Sequence, residues 1–255
     1  MAPPFIGQAA FFLDIDGTLL DIAETPDAVE PKRGDCALIG DLQRSTAGAV
    51  ALISGRNLAS IDELFAPLVL PAAGQHGVER RDSRGRVHRM AFPVDSLQRV
   101  ARDVESFARR HEGLVFENKG HSVALHYRLA PELAEAAHQV VRKAARRLGV
   151  GVEVQAGKMV AELKPAGRDK GMAIEEFMRE APFVGRIPVF LGDDVTDEYG
   201  FRVVNRLGGH SVKIGKGPTE ARWRLADAPG ARAWLRAWLD RRGQPVDEDE
   251  DDQVL

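Results

Sequence analysis

A single cysteine, Cys36, stands in 255 residues, so the chain can close no intramolecular disulfide and suits a reducing compartment. Long apolar runs are missing too: nothing approaches the ~20 residues of a membrane span. The opening "MAPPFIGQAAFFLDIDG" has no basic segment leading into a long apolar stretch, as a secretory leader would. A cytoplasmic protein that meets no membrane is the expectation. An excess of one charge is also absent. The net charge is −3, and six of the 38 acids sit in "DEDEDD", Asp247 to Asp252. Setting those six aside leaves 32 acids against 35 bases, a balance that argues against a nucleic-acid-binding face. The phosphate-loop pattern G-x-x-x-x-G-K-[ST] does not occur, and "GKGPTE" fails G-x-G-x-x-G, which lowers nucleotide readings. No repeat of 20 to 50 residues is visible.

A hydrophobic content of 44% over this length is enough for a substantial core. Residues 9 to 15 and 48 to 54 read as buried strands, with a helix from 35 to 44 between them. "NLASIDELF" places Leu58, Ile61, Leu64 and Phe65 at helical spacing, and "LVLPAAG" reads as another strand. The pattern resumes with a helix at about 170 to 180, then "RIPVFLGDD", "HSVKIG" and the helix "ARAWLRAWL". Strand alternating with helix predicts a parallel sheet. The middle differs: an amphipathic helix from Val94, paired strands "LVFENKG" and "HSVALHYRL", a helix from Pro131 to Leu148, and "VEVQAGKMVAEL" as a hairpin turning at Ala156-Gly157. The fold class expected is therefore α/β: a Rossmann-like parallel-sheet core, residues 1–84 and 165–243, with an inserted α+β domain, 85–164, and a disordered acidic tail, 244–255. Hinges are expected near 82–90 and 163–168.

"FFLDIDGTLL" acquires two acids, Asp14 and Asp16, as a strand gives way to a Gly-Thr turn. Strand side chains alternate, so both leave one face, where like charges repel. Open parallel sheets bind ligands beyond the carboxyl ends of their strands, and a second acidic cluster, "GDDVTDE", follows "IPVFL" at the same edge. Such a hard-oxygen site suits Mg²⁺, which also relieves the repulsion. A carboxylate beside a metal suggests nucleophilic attack at phosphorus, with Asp14 attacking and Asp16 handling the proton. Ser54 in "SGR" and Lys170 in "GRDKG", at strand-to-helix transitions, offer donors for the phosphoryl oxygens.

These motifs resemble the haloacid dehalogenase superfamily. The resemblance implies Asp14 as nucleophile and Asp16 as general acid and base. It implies Mg²⁺ held by the Asp14 carboxylate, the Asp16 backbone carbonyl and Asp193, with Asp194 and Asp197 in support. "LISGR", "GQHGVERRD", "ENKGHSVALHYR", "ELKPAGRDKG" and "GDDVTDEYGFRVVNRLGG" resemble more closely the trehalose-6-phosphate phosphatase family over nearly the whole chain. That likeness makes the inserted domain a cap over the sugar and implies contacts from Arg56, Glu117, Lys119 and Glu162. It implies trehalose 6-phosphate as substrate and a functional link to a trehalose-6-phosphate synthase. The same core motifs would serve another sugar phosphatase, a hexose-phosphate mutase or a non-catalytic phosphosugar sensor.

Each residue has a plainer reading. D-x-D-G-T alone could be a turn, Ser54-Gly-Arg56 a turn signal, and Lys170 a solvated lysine. His76, in a glycine-rich turn, either lines the cleft or bonds to backbone. His121 and His126, five apart, fall on opposite strand faces and share no metal. Trp223, Trp234 and Trp238 read as packing residues, the last two on one helical face.

Overall fold

A computed structural model describes residues 1–25, 28–31 and 33–242. The first strand, β1 (Ala9–Leu13), is wholly buried. Both of its faces are covered, so it reads as a continuous apolar run rather than an alternating one. Ala9, Phe11 and Leu13 join one apolar cluster, while Ala10 and Phe12 join another across the sheet. The chain continues through α1 (Arg33–Ser45), β2 (Val50–Ile53), α2 (Leu58–Phe65) and β3 (Ala72–Gly74). After β4 (Glu79–Arg81) and β5 (Val87–Arg89) it leaves this sheet. It returns with α5 (Lys170–Met178), β10 (Ile187–Gly192), α6 (Glu198–Arg206), β11 (His210–Ile214), β12 (Trp223–Leu225) and α7 (Ala228–Arg242).

These strands form one eight-stranded sheet in the order β12-β11-β10-β1-β2-β3-β4-β5. All pairings from β12 to β3 are parallel, and β3-β4-β5 is antiparallel. Helices α1, α2 and α7 supply one apolar face through Leu38, Leu42, Ile61, Phe65, Leu235 and Trp238. Helices α5 and α6 supply the other through Ile174, Phe177, Phe201 and Val204. Trp238 meets Phe11 edge-on at 4.9 Å, the packing role expected of it. From β1 the chain winds outward to β3, then returns to lay β10 on the opposite side of β1. The β1/β10 pair is therefore the switch point where ligands of such sheets bind.

Between these halves lie α3 (Val94–Ala108), β6 (Val115–Asn118), β7 (Val123–His126), α4 (Ala134–Leu148), β8 (Val152–Gly157) and β9 (Val160–Pro165). The strands make a separate antiparallel sheet, β6-β7-β9-β8. It has its own core, in which Leu97, Val104 and Val141 from the helices meet Val123, Leu125 and Leu163.

Several expectations need correction. The three-residue strands β4, β5 and β12 were unanticipated, since "ERR" and "VHR" carry no apolar run. The boundary expected at residue 85 and the hinge expected over 82–90 fall inside the β4–β5 hairpin. Asp82 fixes that turn by accepting the Arg84 and Arg86 amides, and the Met90 amide still bonds to Val78, so the crossing follows Met90. "LVLPAAG" yields only Ala72–Gly74; Pro71 precedes it and lacks the amide a central strand needs. The β8–β9 hairpin turns at Lys158-Met159, not Ala156-Gly157, because Met159 takes the left-handed conformation (φ 64°) while Gly157 stays paired with Val160. The tail expected at 244–255 lies outside the described residues. Among those described, no helix is long and apolar enough to cross a membrane.

Gly200 in α6 gives a stability test. Replacing a helical glycine by alanine ordinarily stabilises by about 0.5–1 kcal/mol. Here a Cβ would run into the buried Phe190 ring. Gly200→Ala is expected to destabilise instead, by about 1–3 kcal/mol, read as a lower urea midpoint; a raised midpoint would refute this packing.

Candidate active site

Asp14 follows β1 directly, and its amide bonds to Leu191 O at 3.0 Å, which seats it beside the end of β10. Its carboxylate is buried; Oδ1 accepts from Lys170 Nζ at 2.7 Å and Oδ2 from Thr18 Oγ at 3.0 Å. Lys170, the first residue of α5, is buried and also donates to Asp197 Oδ1 at 2.7 Å. Asp197 is oriented by the Asp194 amide, 2.8 Å from its Oδ2, within a capping box on the short helix Val195–Asp197. Asp193, after β10, completes the group, and the Asp193 carbonyl accepts from Lys213. Asp14, Asp193 and Asp197 each offer a carboxylate oxygen within 4.8 Å of the others. Gly17, at φ 83°, passes against Asp193 so closely that a Cβ would collide with its carboxylate; only glycine suits both constraints.

Crowding shows in the ionisation. Burial raises the Asp14 carboxyl well above its ordinary value; Lys170 opposes this, and repulsion from Asp197 and Asp193 adds to it. Asp193 is raised by burial and Asp197, despite Lys158. Lys170 is raised, because Asp14 and Asp197 outweigh the burial that would lower it. Three convergent oxygen donors with two acids held above their usual range fit a hard divalent cation such as Mg²⁺.

Asp16 diverges from this cluster. Its carboxylate accepts both arms of the Arg56 fork, at 2.7 and 2.8 Å. It is therefore not one of the clustered carboxylates, and only its backbone carbonyl stands as the metal ligand that the resemblance implies. Arg56, expected against substrate, holds Asp16 and also donates to Ser60 Oγ at 3.2 Å. Ser54 is buried, its Oγ accepting the Arg56 amide at 3.1 Å. The turn after β3 pins this loop: the Gln75 amide bonds to Arg56 O and the His76 amide to Ser54 O. Gln75 and His76 both adopt positive φ, 48° and 56°, a strain typical of functional loops.

The smaller sheet closes the opposite wall. Glu162 in β9 is buried, with Oε1 2.7 Å from Ser122 Oγ and Oε2 3.2 Å from Lys119 Nζ and 3.1 Å from His76 Nε2. His76 thus lines the cleft, its ring set against Glu162 rather than against backbone. Burial would raise Glu162, but Lys119 and His76 outweigh it and hold the carboxyl far below its ordinary range. Burial lowers His76 against the pull of Glu162. Lys119 is raised by Glu162 and Glu117 against its own burial. Glu117 pairs with His126 at 2.8 Å, its diagonal neighbour on the same face of the β6–β7 pair.

Asp14, Asp16, Ser54, Arg56, His76, Glu117, Lys119, Glu162, Lys170 and Asp193 all line one cavity between the two sheets. Sequence reasoning missed Arg128, Lys158 and Thr196 in the same cavity, because single polar residues on turns and a one-turn helix carry no pattern. Asp197, expected in support, lies within the cluster with one oxygen on Lys170 and the other on the Asp194 amide.

The trehalose-phosphatase family model matches residues 12–229. The trehalose-6-phosphate phosphatase of Escherichia coli K12 is 44% identical over 91% of this chain and 87% of its own length. A probable trehalose-phosphate phosphatase of Sinorhizobium fredii is 46% identical over 88% and 84%. Among solved structures, a trehalose-6-phosphate phosphatase related protein aligns with a TM-score of 0.78 at 28% identity, covering 91% of this chain and 97% of that one. The C-terminal domain of the Candida albicans trehalose-6-phosphate phosphatase, 21% identical over 92% and 93%, aligns at 0.82 and shares the fold. With sequence, motif geometry and architecture agreeing over nearly its whole length, the chain belongs to the trehalose-phosphatase family of the haloacid dehalogenase superfamily and is a phosphatase.

Proposed function

We propose that this phosphatase hydrolyses trehalose 6-phosphate to trehalose and phosphate in a Mg²⁺-dependent reaction through an aspartyl-phosphate on Asp14. The observation that carries the reading is a single cavity with the buried Asp14–Lys170–Asp197 contacts on one wall and Glu117, Lys119 and Glu162 on the other. One wall suits phosphoryl transfer and the other a polyhydroxylated ligand. Asp14, Asp193 and the Asp16 carbonyl would hold the cation, with Asp197 beside them. When bound, it supplies Lewis-acid charge neutralisation of the phosphoryl oxygens.

An Asp14 oxygen forms the new bond to phosphorus as the bond to the sugar oxygen breaks, splitting one displacement into two. Lys170 and Thr18 orient the Asp14 carboxylate for attack. Ser54 donates to a phosphoryl oxygen, and Lys170 adds positive charge where negative charge spreads in the transition state. Asp16 gives a proton to the leaving sugar oxygen, then takes one from the water that breaks the acyl phosphate; for this it turns from the Arg56 fork toward the reacting atoms. Glu162 and Glu117 accept sugar hydroxyls, and Lys119 donates to them. Water is excluded while the smaller domain covers the cleft. A cytoplasmic setting and a link to a synthase that makes the substrate accompany this reading.

Phosphate release from trehalose 6-phosphate, with glucose 6-phosphate and sucrose 6-phosphate alongside, tests it. Strong preference for trehalose 6-phosphate is expected, with kcat lower by roughly 10⁴-fold or more in folded Asp14→Asn. Equal turnover of all three would overturn the cap assignment. A phosphorylated product would indicate a mutase, and tight binding without turnover a sensor. Chelation of divalent cations should abolish release and Mg²⁺ restore it; full activity after exhaustive chelation would reject the metal. Glu162→Ala should raise KM for trehalose 6-phosphate by about tenfold or more, the scale of a lost charge-assisted hydrogen bond. Unchanged kinetics would remove Glu162 from the sugar site.

A further inference from the structure

Lys158 occupies the two-residue tip of the β8–β9 hairpin, the point where the smaller domain reaches the acidic loop of the larger one. Its Nζ lies 3.0 Å from Asp193 Oδ2, and its amide donates to Asp194 Oδ2 at 3.2 Å. Arg128 Nη2 holds the Lys158 carbonyl at 3.1 Å. The approach is built into the backbone: a Cβ on Gly157 would sit 3.0 Å from Asp194 Oδ2, and Met159 adopts φ 64° to complete the turn. The lysine side chain remains half exposed on the wall of the cavity that Asp14 and Asp193 share.

Most lysines on hairpin tips are solvated, and an exposed ion pair contributes about 0–1 kcal/mol. Three features set Lys158 apart. Its acid partner, with a side chain only 7% exposed, belongs to the carboxylate cluster, its backbone is fixed at both amide and carbonyl, and its ammonium opens onto the cavity. Asp14, Asp193, Asp194 and Asp197 are faced by Lys158, Lys170 and Lys213. Lys170 is buried between Asp14 and Asp197, and Lys213 is turned to the Asp193 carbonyl. Lys158 is the ammonium of these three that reaches the cluster from the smaller domain. A dication taken up by Asp193 would repel that ammonium, and the phosphoryl group entering the cavity beside Asp14 then offers it a dianionic partner that the fixed Asp194 carboxylate, held by the hairpin amide, does not replace.

We propose that Lys158 is a further substrate-binding residue that contacts the phosphate, not the sugar, so that closure of the smaller domain delivers a positive charge to the phosphoryl group. This rests on the phosphatase reading but not on which sugar is cleaved. Inorganic phosphate and trehalose, each titrated calorimetrically into the full chain with Mg²⁺, separate the two. Lys158→Met should raise the Kd of inorganic phosphate by about tenfold, one lost charge-assisted contact, and leave that of trehalose unchanged. Lys158→Arg should restore phosphate binding. Circular dichroism confirms the fold of each variant, which an exposed turn side chain should not disturb. Phosphate binding unchanged in Lys158→Met overturns the proposal. Equal weakening of phosphate and trehalose also overturns it, by making the hairpin tip a general latch. Should the wild-type chain bind phosphate but fail to cleave trehalose 6-phosphate, the sugar assignment falls while the Lys158 result stands.

Discussion

Mutual repulsion among carboxylates brought to the end of β1 and β10 is the constraint around which this molecule is arranged. Asp14, Asp193 and Asp197 approach within 4.8 Å, in surroundings that raise Asp14 and Asp193. Left alone, such a group would protonate or splay apart. It stays together because rigid elements impose the approach. Parallel pairing of β1 with β10 fixes two acids, the capping box at Asp194 fixes the third, and Gly17 leaves room for contact. Lys170, Lys158 and Lys213 offset part of the charge.

The wall carried by the smaller sheet follows the opposite logic. Glu162 is as buried as Asp14, but its charged neighbours Lys119 and His76 outweigh that burial and its carboxyl sits low, whereas Asp197 and Asp193 add to the burial that raises Asp14. A paired acid of this kind is preorganised as a hydrogen-bond acceptor and has no call for a metal. Position in the fold thus divides the acids of one cavity into a mutually repelling cluster with raised carboxyls and a paired acid held low.

Legibility in the sequence followed the range of the interactions. The apolar runs of β1, β2 and β10 and the acids that end them are local signals, so the parallel sheet and its functional edge could be read directly. That Asp14, Ser54 and Asp193 share one cavity was legible because motif order along the chain maps onto neighbouring strand ends. Short charged strands such as Glu79–Arg81 were not, since they exist only through pairing with β3. Gly157 misled because glycine usually marks a turn; here it admits Asp194, and Met159 carries the left-handed backbone. The Arg56–Asp16 fork joins residues forty apart, and nothing in either segment announces it.

The strand β9 ties the two domains because its two-residue period serves two purposes. Ala161 and Leu163 face the core of the smaller domain, while Glu162 and Lys164 face the larger one. Glu162 meets His76 across the cleft. Lys164, fully buried, pairs with Glu153 at 2.6 Å and donates to the Arg168 carbonyl beyond the strand's end. Arg168 in turn reaches Gly77 O at 2.9 Å and forks onto Glu176 of α5. Any swing of the smaller domain therefore acts on the turn that holds His76 and on the helix that begins with Lys170. A one-residue register slip in β9 would turn Glu162 and Lys164 into the apolar core and expose Leu163 to the cleft. The Glu162 wall of the cavity, the turn that holds His76 and the placement of the lysine beside Asp14 consequently depend on the register of this one strand.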